Sequence, residues 1–302
     1  MKKDLTKLMD LNKEEIIKIL DLADKLKKER KDGIEHKMLA GKSLAMIFGK
    51  SSTRTRVSFE AGIYQLGGQA LFLSTNDLQL GRGEPIKDTA RVLSRYIDGI
   101  MIRTGSHEDV EQLAKWSSVP VINGLTDFAH PCQVLADLMT IREHKGALEG
   151  LRLAYIGDGN NVCNSLIVGG LVCGLSVSVV VPKGYEPTTE ILEFTKKYPG
   201  KFTLTNNPKA AADKADVLYT DVWSSMGQEA EAAERKKIFE GFQINSELLS
   251  YADEKAIVLH CLPAKRGEEI TDEAFEAHAI TIFDEAENRL HAQKAVMALL
   301  MG

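Results

Sequence analysis

The chain is poor in the features that mark several large protein classes. Its net charge is −5, so no basic field is available to recruit nucleic acid in bulk. No apolar run reaches the length of a membrane span, and Met1–Asp10 lacks the apolar stretch of a secretory leader. Four cysteines (Cys132, Cys163, Cys173 and Cys261) form no C-x-x-C pair, and reduced thiols in a cytoplasmic protein are expected. Low-complexity segments and short-period repeats are missing too. What remains is an ordinary globular composition, 44% hydrophobic and 27% charged, whose 302 residues leave room for about two domains.

Periodicity supplies the elements. Asn12 followed by Glu15 forms a capping-box pattern, and Ile16, Ile19, Leu20, Ala23 and Leu26 then recur at helical spacing. After this opening helix, strand-like runs near Leu44–Phe48, Ala70–Leu73, Gly99–Ile102 and Val119–Ile122 alternate with helical patterns over Thr53–Leu66, Pro85–Tyr96 and His107–Trp116. A longer helical pattern, His130–His144, ends at Gly146. A second alternation follows, with strands expected at Leu151–Ile156, Val177–Val181, Phe202–Thr205, Val217–Thr220, Ile257–Leu259 and Ile280–Phe283. Repeated βα order predicts two mostly parallel, helix-covered sheets, the α/β class. The expected domains are 1–145 and 146–284, with the last helix, 285–302, returning to the first domain.

The most informative stretch is Phe48–Glu60, which carries Ser51, Ser52, Thr53, Arg54, Thr55 and Arg56 from a strand end into a helix. Free backbone N–H groups and the positive end of the helix dipole meet there, and a guanidinium fork adds charge-assisted bonds to phosphate. A nucleotide P-loop is excluded. Counting back from Gly49-Lys50-Ser51 puts Leu44 where the first glycine belongs, and Gly41-Lys42-Ser43 fails at His36. The loop suits a compact phosphate.

Ligands of open α/β sheets sit outside the carboxyl ends of the strands. Arg103-Thr104 and Asn123–His130 follow strands of the first half; Gly157–Asn161, Asp221–Met226, His260–Pro263 and Asp284–Arg289 follow those of the second. This distribution predicts a cleft between two domains. A nicotinamide site is rejected because Gly157-Asp158-Gly159 is followed by Val162 at the third glycine position, and Val181-Pro182-Lys183 ends the next strand without an acid. Serine-hydrolase chemistry lacks its G-x-S-x-G. Zinc at His130 and Cys132 lacks both the spacing and the ligand count.

Four segments in register resemble the carbamoyltransferase family: Ser52-Thr-Arg-Thr-Arg56 with Ser58-Phe-Glu60, His130-Pro-Cys-Gln133, Asp221-Val-Trp-Ser-Ser-Met-Gly227, and His260-Cys-Leu-Pro263. The first two resemble the carbamoyl-phosphate site common to the aspartate and ornithine enzymes, and the last two the ornithine branch. The resemblance implies that Ser52, Thr53, Arg54, Thr55, Arg103, His130 and Gln133 hold carbamoyl phosphate. Arg103, His130 and Arg289 would polarise its carbonyl. Asn161, Asp221, Ser225, Met226, Cys261 and Leu262 would hold L-ornithine, with Cys261 beside the reacting amine. For Arg289 the alternative of a capping or ion-pairing arginine stays open.

The implied reaction is attack of the ornithine side-chain amine on the carbonyl, giving L-citrulline and phosphate with no cofactor and no metal. The resemblance further implies a homotrimer or an assembly of trimers, with the Leu78–Glu84 loop reaching a neighbour, while Met226 and Gly227, in a segment rich in small and charged residues up to Glu234, predict a mobile loop. A putrescine acceptor would leave the amino-acid grip of Ser225-Met226-Gly227 unused, and aspartate would be repelled by Asp221. A non-catalytic sensor would leave Arg103, His130 and Cys261 without a task.

Overall fold

Among the described residues every strand pairing is parallel, and the strands fall into two separate sheets. The computed structural model describes residues 4–79, 83–224 and 229–302. Two compact units result: Met1–Met139 with Asn288–Gly302, and Thr140–Glu287. Ser225 and Met226, and Leu80, Gly81 and Arg82 of the expected intersubunit loop, lie outside the described residues.

The first unit begins with α1 (Lys13–Lys31), whose capping box is complete: Asn12 Oδ1 accepts from Glu15 N–H at 2.9 Å, and Glu15 Oε2 accepts from Asn12 N–H at 3.0 Å. Its five periodic apolar residues, Ile16 to Leu26, are all buried. Then follow β1 (Ser43–Phe48), α2 (Thr53–Gln65), β2 (Gln69–Ser74), α3 (Ile86–Leu93), β3 (Gly99–Arg103), α4 (His107–Trp116), β4 (Val121–Leu125) and α5 (Pro131–Lys145). The sheet order is β2-β1-β3-β4, and Ala45, Ile47, Ile100, Ile102 and Val121 pack with Ala90, Val110 and Leu113 into one core. Burying each isoleucine, valine or leucine among them contributes roughly 1.5–3 kcal/mol, which offsets the entropy of ordering the strands.

The second unit holds β5 (Arg152–Ile156), α6 (Asn161–Val172), β6 (Ser176–Val180), α7 (Thr189–Thr195), β7 (Phe202–Thr205), α8 (Pro208–Ala212), β8 (Val217–Thr220), α9 (Ala232–Ile238), α10 (Ser246–Leu249), β9 (Ile257–His260), α11 (Asp272–Ala277) and the start of α12 (Ala279–Met301). Its strand order is β7-β6-β5-β8-β9. Every residue of α6 from Val162 to Leu171 is buried, as its run without a charged residue requires.

Two expectations are corrected. Ile280–Phe283 is the first turn of α12, not a strand: the Thr281 hydroxyl donates to the His278 carbonyl one turn back (2.9 Å), and no glycine or proline interrupts the helix beyond it. The fourth strand starts after Pro120 rather than at Val119, because proline has no N–H for the ladder. The segment expected to be mobile runs into α9 at Ala232, and Arg235, just beyond that segment, is buried.

Candidate active site

In the first unit the site is built at the carboxyl ends of β1, β3 and β4. Ser52 caps α2, its hydroxyl accepting from Thr55 N–H at 3.1 Å, so the helix's first turn presents Thr53, Arg54 and Thr55. Ser52 is half-buried, Thr53 and Arg54 are exposed, and Thr55 is buried. Arg103 ends β3 where the β3–β4 register shifts: Ile102 pairs with Asn123, but Arg103 pairs with Leu125. Gly124 is the residue passed over. A Cβ there would meet Met101 Sδ at 2.6 Å, so glycine at the irregularity leaves room for the Met101 side chain.

Thr55 Oγ1 gathers the charges. Arg103 Nη1 and Arg289 Nη2 both donate to it at 3.3 Å, and Arg289 Nη1 donates to Gln133 Oε1 at 2.7 Å. Gln133 Nε2 in turn donates to Asp137 Oδ1 at 2.8 Å. Arg289 therefore belongs to the same cluster as the motif residues, and the capping alternative falls. Two buried arginines thus converge on one neutral hydroxyl.

His130 sits just ahead of α5, its carbonyl accepting from Gln133 N–H at 3.2 Å. It is buried, and burial, followed by the fields of Arg289, Arg103 and Arg54, holds its pKa well below the ordinary 6.5. It is a neutral imidazole at neutral pH. Cys132 next to it is buried away from reaction, its thiol pushed up to about 12 by burial.

The second unit brings together Asp221, Cys261 and Asn160. Asp221 Oδ1 accepts from Cys261 Sγ at 3.0 Å and from Val222 N–H at 2.8 Å; Asp221 Oδ2 accepts from Asn160 Nδ2 at 2.8 Å. A thiol that donates to a carboxylate is protonated, so Cys261 is placed as a hydrogen-bond donor rather than as a thiolate nucleophile. Asn161, expected at this site, is half-buried at the start of α6, with its Oδ1 3.0 Å from Val162 N. Leu262 has φ +58, a left-handed conformation uncommon for leucine, and its N–H donates to His260 Nδ1 at 2.9 Å.

One ligand atom each of Asp221, His260 and Cys261 lies within 4.8 Å of the others. His260 is already committed inside the protein, with Nδ1 accepting from Leu262 and Nε2 at 3.0 Å from Glu269 Oε1. The trio is a hydrogen-bonded turn with no histidine nitrogen left for a cation.

Several participants escaped the sequence reading. Asn160 lay one residue before the one chosen, and its capping role for α6 hid its second bond to Asp221. Arg235, buried at 4% exposure, pairs with Asp158 and donates to the Trp223 carbonyl, but a charge-rich run gave no hint of a buried arginine. Burial leaves Asp158 raised to about 6 despite that partner. Asp137 had a signal, as a lone acid inside the apolar run Val134–Ile141. A cavity of about 600 Å³ lined by Arg30, His36, Tyr64, Gln65 and Lys294 contains none of the candidate residues.

Two helix-covered parallel sheets, each with ionisable groups at the carboxyl ends of its strands, define a two-domain α/β enzyme. Residues 3–143 match the carbamoyl-P binding domain of aspartate/ornithine carbamoyltransferase, and residues 149–300 match the Asp/Orn binding domain. The chain belongs to the aspartate/ornithine carbamoyltransferase family. It is 57% identical to the ornithine carbamoyltransferase of Carboxydothermus hydrogenoformans, covering 99% of this chain and 98% of the relative. Identity to that of Syntrophotalea carbinolica is 58%, over the full length of both. The solved ornithine carbamoyltransferase from Pyrococcus furiosus matches at TM-score 0.94 and 54% identity, over 99% of this chain and 97% of that one.

Proposed function

We propose that the chain transfers the carbamoyl group of carbamoyl phosphate to the side-chain amine of L-ornithine, giving L-citrulline and phosphate. The observation that carries this reading is the convergence of Arg103 and Arg289 on Thr55 at the start of α2. Ser52, Thr53, Arg54 and Thr55 take the phosphate through hydroxyls, backbone N–H groups and the Arg54 fork, each charge-assisted bond contributing roughly 1.5–3 kcal/mol. Arg103 bridges phosphate and carbonyl oxygen. Neutral His130 donates to the same oxygen, and Arg289 adds positive charge where the oxyanion develops. Gln133 orients the carbamoyl amide.

Asp221 receives an ammonium group of ornithine, and Asn161, Ser225, Met226 and the Leu262 backbone complete its amino-acid grip. The thiol of Cys261 lies against Asp221 and orients the attacking amine without covalent catalysis. The amine must lose a proton before it attacks. It bonds to the carbonyl carbon, a tetrahedral oxyanion forms under Arg103, His130 and Arg289, and the C–O bond to phosphate breaks as the attacking nitrogen passes its extra proton to the leaving phosphate.

Among the described residues no helix is long and apolar enough to cross a membrane. A cytoplasmic homotrimer, alone or in larger assemblies of trimers, completes the proposal. The test is an acceptor panel of ornithine, putrescine, lysine and aspartate with carbamoyl phosphate, scored by ureido product and released phosphate. Citrulline from ornithine alone supports the reading. Turnover of another amine overturns the acceptor assignment, and binding without turnover turns the chain into a sensor.

A further inference from the structure

The first unit contains a buried amide that the reaction as written does not use. Gln293 lies on α12, one turn beyond Arg289, and is fully buried. Its Oε1 accepts from Arg289 Nε at 3.0 Å, and its Nε2 donates to Ser58 Oγ at 2.7 Å. Ser58 is the motif residue to which the sequence gave no role. Its hydroxyl donates to the Arg54 carbonyl at 2.6 Å. A hydroxyl has one hydrogen, so Ser58 can only accept from Gln293. That fixes which end of the amide faces Arg289.

We infer that Gln293, through Ser58, is a positioning residue that sets the plane of the Arg289 guanidinium and ties it to the phosphate-facing first turn of α2. This rests on the reading of Arg289 as a carbonyl- and phosphate-facing cation. Arg289 Nη1 and Nη2 point at Gln133 and Thr55; anchoring Nε as well removes the remaining rotation of the fork. Gln133, Thr55 and Gln293 are neutral acceptors of Arg289. A carboxylate at position 293 would hold Nε equally well but would neutralise the charge the ligand needs, and it has no hydrogen for Ser58. Glutamine orients without neutralising.

The test compares Gln293→Met, Gln293→Glu and Ser58→Ala with the wild type. For each, KM for both substrates, kcat, the inhibition constant of inorganic phosphate and the melting temperature are measured. Gln293→Met is expected to raise KM for carbamoyl phosphate and the phosphate inhibition constant about tenfold, with KM for ornithine within twofold. Gln293→Glu should weaken both phosphate readouts further, and Ser58→Ala should move them about threefold. The double variant Ser58→Ala with Gln293→Met should be no worse than Gln293→Met, because the two act in one chain.

A lowered melting temperature with unchanged phosphate readouts makes Gln293 structural only and overturns the inference, as does a Glu variant that binds phosphate like the wild type. If Gln293→Met does not fold, Ser58→Ala decides alone: unchanged phosphate inhibition sinks the proposal. A wild-type protein that forms no citrulline would instead remove the underlying reading.

Discussion

The two units fix charge in opposite ways. In the first, two buried arginines donate to neutral oxygens of Thr55, Gln133 and Gln293, which orient positive charge. In the second, the carboxylate of Asp221 is held by a thiol, a side-chain amide and a backbone N–H, so negative charge is oriented in the same fashion. Buried charge is costly unless hydrogen-bonded, and neutral partners meet that cost while leaving the charge for a ligand. The difference lies in the framework. The arginines come from a strand end and a long helix, whereas Asp221 and Cys261 sit on turns after β8 and β9. The first arrangement suits a small acyl phosphate, and the second a longer amino acid.

Breaking either side gives predictions of decreasing size. Arg103→Gln is expected to lower kcat by about 10²–10³, the cost of removing one preorganised donor from a developing oxyanion. Asp221→Asn should raise KM for ornithine roughly 100-fold, as expected when one partner of a buried charge pair is lost, while KM for carbamoyl phosphate stays within threefold. Cys261→Ser keeps a donor of shorter reach beside Asp221 and should cost about tenfold in kcat/KM for ornithine. Each follows from steady-state kinetics with one substrate varied at a time.

The comparison also separates the two units by pH. A free alkyl ammonium titrates near 10.4, so kcat/KM for ornithine should climb about tenfold per unit from pH 7 to 9. A flat profile with chemistry limiting would count against attack by the neutral amine. Carbamoyl phosphate should show no inflection near 6.5 that tracks His130, because that histidine stays neutral well below its ordinary value. The same shift has a stability consequence. As pH falls below 6.5 the unfolded chain takes up the His130 proton before the folded one does, so His130 stabilises the fold less in acid. Thermal unfolding of His130→Gln should lose part of the wild type's acid sensitivity.

The sequence made the alternation of elements legible because its apolar runs are short and bounded, and because polar residues cluster where the strands stop. Thr55, Arg103, Gln133 and Arg289, named from sequence, meet within one cluster, and Asp221 meets Cys261. Ile280–Phe283 misled because four β-prone residues read alike in a strand or a first helical turn; only their continuity with the rest of the helix, to Met301, decides. Gln293 and Arg235 were invisible for another reason. A polar residue in a helix reads as a solvated face, and nothing in a single sequence reports that the opposite face is buried too.

The division of labour between the units is tested most directly by measuring both KM values in Arg289→Gln and Asp221→Asn side by side. The account predicts a crossed result: carbamoyl phosphate weakened at least tenfold only in Arg289→Gln, and ornithine only in Asp221→Asn. Equal loss of both substrates in both variants would contradict it.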